Sequence, residues 1–300
     1  MKVDLLILHY NRPDLTDACV AHCLKIADEW NQIWIVDNGS DLPYACDHER
    51  VTVLRSEQNT GFSGGVNVGW AAIAPTDIDA VFLLNNDAHL APGALTILKE
   101  FAAARPEVWT CCGMGFDPDD PNGLPQEIPA PLSRTIPYIP QPWQQVMSEP
   151  PTEPHQTEWI TGAAMLIKRQ AMEAVGPWRE AYFLYWEDVD FGWRVNAAGG
   201  QNWFVPHAHF YHKMNSSSSD RKPQVLYYYH RNHLMFWRRH RPLRLIPILW
   251  THLRWSFQHR DGYWMHVARE KAVIDWFLRR RGPIPESRIP RLQDLHRRQG

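Results

Sequence analysis

Residues 80–87 read Ala80-Val81-Phe82-Leu83-Leu84-Asn85-Asn86-Asp87, an apolar run that ends abruptly in three polar residues. A continuous apolar run of this length, bounded by turn-forming residues, fits a strand buried on both faces of a parallel sheet. Two earlier stretches repeat the arrangement. The run at residues 3–8 ends in His9-Tyr10-Asn11, and the run at 33–36 ends in Asp37-Asn38-Gly39-Ser40. Helix patterns at 15–28 and 66–73, with a further strand at 51–54, make strands and helices alternate. That alternation predicts an α/β layer structure with a mainly parallel sheet. Ligands of open α/β sheets bind outside the carboxyl ends of the strands. Each polar cluster alone is ordinary turn chemistry; their recurrence after consecutive strands points to one site.

Beyond these units the pattern changes. Residues 117–155 hold 11 of the 24 prolines and read as a long extended loop, which in a compact domain is functional or disordered. Periodicity resumes with a strand at 158–167, a helix at 169–175 closed by Gly176-Pro177, and a helix at 187–196 closed by Gly199-Gly200. An aromatic strand follows at 203–211, and from about Pro223 the chain is helical in character and rich in Arg, His and Trp. The expected division is a body over residues 1–222 and a basic, Trp-rich helical extension over 223–300.

At 300 residues, 44% hydrophobic and 21% charged, the chain is neither a disulfide-stapled miniprotein nor wholly disordered. Its net charge of −2 conceals an asymmetry: residues 1–220 carry 13 basic against 28 acidic side chains, and residues 221–300 carry 18 against 5. Five cysteines, with no two C-x-x-C pairs for zinc, fit a reducing compartment. The first apolar run is too short for a secretory segment. Residues 243–257 are interrupted by Arg244, Pro247, His252 and Arg254, short of the roughly 18 apolar residues that a spanning helix needs. A cytoplasmic location without a transmembrane segment is the expectation.

Three groups could carry chemistry. Asn59-Thr60-Gly61-Phe62-Ser63-Gly64-Gly65-Val66-Asn67-Val68-Gly69 precedes a helix and offers backbone amides to a phosphate or a sugar oxygen, yet its spacing is neither a dinucleotide fingerprint nor a P-loop. Asp87, beside two asparagines, places one carboxylate at the sheet edge; one carboxylate with a diphosphate suffices for Mg2+ or Mn2+. Tyr185-Trp186-Glu187-Asp188-Val189-Asp190-Phe191 embeds three carboxylates among aromatics, where desolvation lifts a carboxyl towards the range of a general base. Glu187 and Asp190 share a helix face while Asp188 points elsewhere. Acidic residues in a first helical turn are also ordinary dipole partners.

Taken in order, these residues resemble the family-2 glycosyltransferases of the GT-A fold, in particular the bacterial rhamnosyltransferase-like branch. The resemblance runs from Val3 to about Arg238. It adds Thr161-Gly162-Ala163-Ala164-Met165-Leu166, His212-Lys213 with the serines after it, and Tyr229-His230-Arg231-Asn232 to the groups above. It implies that Asp37 contacts the base or ribose of a nucleotide sugar, with Tyr10 and Asn11 beside it, and that Asn38, Asn59, Gly64, Gly65, Asn67, Asn86 and Arg231 line the donor site. Asp87 and His212 would hold a divalent metal, Asp188 would be the catalytic base, and Trp186 and Glu187 would support the acceptor. Asn85 departs from the family's Asp-x-Asp motif. The implied reaction is inverting transfer of a hexose or deoxyhexose, rhamnose first, from a thymidine- or uridine-linked donor to a glycan or lipid-linked glycan.

Two rivals remain open at this level. A sugar-phosphate nucleotidyltransferase would carry a glycine- and basic-rich loop near its first strand, and His9-Tyr10-Asn11-Arg12-Pro13 is not one. A non-catalytic carbohydrate-binding protein could use the 15 tryptophans as stacking platforms. The basic tail, interleaved with Trp237, Trp250, Trp255, Trp264 and Trp276, suits an anionic membrane surface at the inner face of the cell membrane, or else packs on the acidic body. Nucleic acid is not an expected partner.

Overall fold

The structure is a computed structural model that describes residues 1–129, 150–213, 222–256, 263–285 and 287–289. Four strands open the fold: β1 (Val3–His9), β2 (Ile33–Asn38), β3 (Val51–Ser56) and β4 (Ala80–Asn85). They pair in the order β3-β2-β1-β4, all parallel, with α1 (Pro13–Lys25) and α2 (Gly61–Ile73) as crossovers. Alternate side chains of these strands enter different cores because successive Cβ atoms point to opposite faces. Leu5, Ile7, Phe82 and Leu84 pack with α1 and with α3 (Ala94–Ala103). Leu6, Leu83 and Val81 pack with α2, α4 (Arg169–Val175) and α5 (Glu187–Ala197). Two layers of helices thus enclose one sheet, as the uninterrupted apolar strands require. Each such buried side chain contributes about 1.5–3 kcal/mol.

The second half of the sheet is mixed. β5 (Ala88–Leu90), β6 (Val108–Phe116), β7 (His155–Thr157), β8 (Ala164–Lys168) and β9 (Gln201–His212) complete the order β3-β2-β1-β4-β8-β6-β9-β5, with β7 on β9. β8 runs antiparallel to both β4 and β6, whereas β6 and β9 are parallel. Parallel neighbours need a long crossover, usually a helix, and among the described residues no helix lies between β6 and β8. The expected mainly parallel sheet therefore holds for the first four strands.

The extension is helical, as expected: α6 (Lys222–His240), α7 (Leu245–Ser256) and α8 (Tyr263–Phe277). It is joined to the body through a shared core. Trp159, Tyr182, Trp186 and Val189 of the body form one cluster with Tyr229, Leu234, Phe236, Trp237, Ile248 and Trp276 of the extension. Trp237 and Trp276, grouped by sequence with the interfacial aromatics, are core residues because they fill this junction. Trp250 is exposed; the side chains of Trp255 and Trp264 lie outside the described residues.

Candidate active site

Sheet register assembles residues far apart in sequence. Asn85 ends β4, and β5 immediately pairs with the end of β9 so that Ala88 faces His212. This brings His212 Nε2 to 3.1 Å from Asp87 Oδ1. The chain after β6 folds back through a backbone bridge between Gly115 and Glu127, which delivers Glu127 to the other side of the ring, where its Oε1 meets His212 Nδ1. Burial works against a charge on His212, but Glu127 and Asp87 on either side outweigh it and lift the imidazole pKa to about 10. Glu127 is buried and lies in the proline-rich loop, where no sequence pattern singles it out.

Thr161 and Gly162, just before β8, link this group to α5. The Thr161 hydroxyl donates to Glu127 Oε2 at 3.0 Å, and the Gly162 amide donates to Asp188 Oδ2 at 3.1 Å. The Val189 amide donates to Asp188 Oδ1 at 2.8 Å. Desolvation raises the Asp188 pKa to about 6; these amides pull against it, and the Glu127 charge adds to the lift. Glu187, beside it, is driven well above the carboxylate range by burial and by Asp188. Asp190 is a different kind of residue. Fully buried, it accepts from Arg179 at 2.5 Å, His240 at 2.8 Å, Arg194 at 3.0 Å and the Tyr182 hydroxyl at 3.1 Å, and these partners hold its pKa low in spite of burial.

The loop that presents Asp188 is strained. Phe183, Tyr185 and Trp186 have φ of 64°, 68° and 73°, a region that non-glycine residues adopt only when their surroundings impose it. Asn232 of α6 imposes it by donating to the carbonyls of Tyr182, Leu184 and Tyr185 at 2.6, 2.7 and 2.9 Å. Arg231, expected to face the diphosphate, instead lies buried under the same loop, donating to the carbonyls of Tyr182 at 3.2 Å and Gly282 at 2.7 Å. Trp186, expected to support the acceptor, is buried with its ring against Tyr229, His233 and Phe236.

At the nucleotide end, His9 of β1 pairs in register with Asp37 of β2. Asp37 is buried and accepts from the amides of Ser40 and Tyr44, each at 3.0 Å, and from Arg55. Burial raises its pKa, and these partners together bring it below the ordinary value. Tyr10 and Asn11 are half-buried beside it. Asn11 takes φ 54° and ties the loop after β1 to Ser40 and Asp41. Asn86 donates to Thr16 Oγ1 at 3.0 Å, next to the bond between Thr16 and His9.

The glycine loop departs most from expectation, since its groups bond inward. The Gly61 amide donates to Asn59 Oδ1, the Phe62 amide to the Phe183 carbonyl, and the Thr60 amide to Asn38 Oδ1. Asn38 also donates to the Gly61 carbonyl at 2.9 Å. Asn67 clasps the amide and carbonyl of Trp178 and the side chain of Glu180. Gly64 and Gly65 are small because α2 lies tight on its neighbours: a Cβ on Gly64 would come 2.5 Å from Thr60, and one on Gly65 would come 3.1 Å from Leu8. Asn38, Asn59, Gly64, Gly65 and Asn67 thus help to seat α2 on the sheet.

Asp87, Glu127, Asp188 and His212 therefore converge around Thr161-Gly162, with Asp37, Tyr10 and Asn11 at the ends of the neighbouring strands. Residues 4–176 match the profile of Glycosyl transferase family 2. The N-acetylglucosaminyl-diphospho-decaprenol L-rhamnosyltransferase of Mycobacterium tuberculosis is 28% identical over 251 residues, 76% of this chain and 81% of that protein. Among solved structures, GalNAc-T7 with UDP, GalNAc and Mn2+ superposes with a TM-score of 0.58 at 14% identity, over 93% of this chain and 56% of that one. The mannosyltransferase PcManGT from Pyrobaculum calidifontis, with GDP-Man and Mn2+, gives 0.55 at 12% identity, over 93% and 88%. The fold is the α/β GT-A fold, and the chain belongs to glycosyl transferase family 2.

Proposed function

We propose that this glycosyltransferase moves a hexose or deoxyhexose, with rhamnose the first choice, from a thymidine- or uridine-diphosphate sugar to a hydroxyl of a lipid-linked glycan, with inversion at the anomeric carbon. Asp188 carries the reading: a partly accessible carboxylate whose pKa is lifted to about 6, held by two backbone amides beside Asp87, Glu127 and His212. A base needs a pKa near the working pH. Asp188 takes the acceptor hydroxyl proton, the acceptor oxygen forms the new bond to the anomeric carbon, and the bond to the diphosphate breaks with its electrons on the leaving oxygen. Tyr10, Asn11 and the Asp37–Arg55 pair are assigned to the nucleoside, with Arg55 the part open to solvent.

Among the described residues no group of three or more His, Cys, Asp or Glu side chains forms a metal cage, so a divalent cation would rest on two protein ligands. Asp87 and His212 Nε2 approach each other as one carboxylate and one imidazole, and Glu127 engages the second ring nitrogen, the outer partner that metal-bound histidines typically have. Asp87 and His212 would hold Mg2+ or Mn2+ there, an ion that binds through few carboxylates when substrate phosphates are present. Such an ion supplies charge stabilisation to the leaving diphosphate. The M. tuberculosis relative, named for a rhamnosyl transfer to N-acetylglucosaminyl-diphospho-decaprenol, supports rhamnose and a lipid-linked acceptor. A cytoplasmic enzyme working at the inner face of the membrane follows from that acceptor.

A donor panel tests this reading. The purified enzyme is supplied with Mg2+ or Mn2+, a polyprenyl-diphosphate N-acetylglucosamine acceptor and thymidine- or uridine-linked sugars. Release of thymidine diphosphate from the rhamnose donor, with a product of opposite anomeric configuration by NMR, is expected. Release from none of the donors overturns the donor and acceptor assignment, and a retained configuration removes Asp188 as the base.

A further inference from the structure

The helices of the extension leave one surface that the rest of the described chain does not cover. Arg238, Arg239, Arg279, Arg280 and Arg281, with Met235 and Trp276, line a cavity of about 280 Å³ between the ends of α6 and α8. Arg280 pairs with Asp275 at 3.0 Å, and among the described residues no carboxylate pairs with the other four arginines. Clustered guanidinium groups repel one another in the absence of an anion, and their forked geometry suits phosphate oxygens.

Two apolar ridges lie on the helical segments that follow α6. Leu243, Ile246 and Trp250 are 83%, 70% and 62% exposed, and Ile274, Phe277 and Leu278 are 52%, 63% and 58% exposed. Their spacings of three and four residues put each trio on one side of its helical segment. α7 and α8 pack on each other and on α6, and the second ridge runs straight into Arg279-Arg280-Arg281. Single exposed apolar residues need no explanation, but six on two adjoining helices, three of them running into an arginine cluster, do.

We propose that this surface docks the enzyme on an anionic lipid bilayer, with the arginines on lipid phosphates and the two ridges in the boundary between headgroups and acyl chains. Charge complementarity selects this occupant, because a bilayer offers phosphates and apolar depth in one surface. The inference does not depend on which sugar is transferred. It places the active-site loop close to the lipid plane: Asn232, which holds that loop, lies on the same helix as Arg238, about 9 Å away along its axis.

Flotation of the full chain with vesicles tests the proposal. Vesicles of equal parts phosphatidylglycerol and phosphatidylcholine should carry the protein, pure phosphatidylcholine should not, and added salt should weaken binding. The triple variant Arg238→Gln, Arg279→Gln, Arg281→Gln should lose roughly a hundredfold in partition. Leu243→Ser with Phe277→Ser should also weaken it, with an unchanged melting midpoint. Equal binding to both vesicle types by the wild type, or unchanged binding by folded variants, overturns the proposal. Two results without flotation do so as well: concentration-dependent self-association in sedimentation, which makes this an interface between copies, and binding of inorganic diphosphate, which makes it a soluble-anion site.

Discussion

Asp188 and His212 have opposite electrostatic surroundings although Glu127 influences both. Burial keeps the Asp188 proton to about pH 6, whereas two flanking carboxylates keep the His212 ring protonated to about pH 10 in the absence of a cation. The raised Asp188 value gives the sign of the pH dependence. Turnover should be constant above about 6 and should fall as pH drops through that value, because the base becomes protonated; a rate profile at saturating donor checks this. Asp188→Asn should lower turnover by about 10²- to 10⁴-fold with donor affinity kept, and an equal loss of donor affinity by calorimetry would reassign the residue to binding. Glu127→Gln should weaken divalent-ion affinity by about 10- to 100-fold, as loss of an outer partner does, measurable by Mn2+ titration without any turnover. Asp87 and Asp188 stand out in the sequence at the end of a strand and the start of a helix, whereas His212 is singled out only by the family resemblance. Glu127 does not stand out, because only the fold-back onto Gly115 carries it to the imidazole.

At the scale of elements, the α2 glycines and the loop before α5 form one mechanical unit. Gly61 has φ +75°, and a Cβ there would lie 2.3 Å from the carbonyl oxygen of Phe183, a backbone atom that cannot swing aside. The glycine-rich segment therefore reads in sequence as backbone offered to a phosphate or a sugar oxygen and serves in the fold as a close contact between α2 and the loop before α5. A local pattern of glycines and asparagines does not say whether the approaching group is a ligand or the chain itself. The alternating strands and helices, by contrast, were legible, since each apolar run must be buried on both faces. Asn232→Ala removes the side-chain donor that three loop carbonyls share, of which Tyr182 still accepts from Arg231. It should cost about 3 kcal/mol in chemical denaturation and should reduce turnover more than donor affinity. A variant with full turnover and only lower stability would show that the loop keeps its shape without Asn232.

For the whole molecule, the acidic body and the basic extension share one hydrophobic cluster across the change of charge. The sequence alone left open whether the extension meets a membrane or packs on the body. Part of it packs inward: Tyr227, Tyr229, Leu234, Phe236 and Trp237 are buried, and Asp275 of α8 is buried with Tyr227 at 2.8 Å and Arg288 at 2.8 Å. The arginines and ridges of the outer surface are a different set of residues on the same helices, so inward packing and outward docking are compatible. Composition could not separate the two sets, because Trp237 and Trp250 look alike in sequence and differ only in which side of the extension they occupy. A chain ending at residue 221 would uncover Trp159, Tyr182, Trp186 and Val189 together and strip the strained loop of Asn232. Losing several large buried contacts at about 1.5–3 kcal/mol each is comparable with the usual net stability of a domain, about 5–15 kcal/mol. The truncated chain should lack a cooperative thermal transition and transferase activity. A truncated chain that melts cooperatively and still turns over would show that the body holds the Asp188 loop by itself, and would make α6 dispensable to the active site.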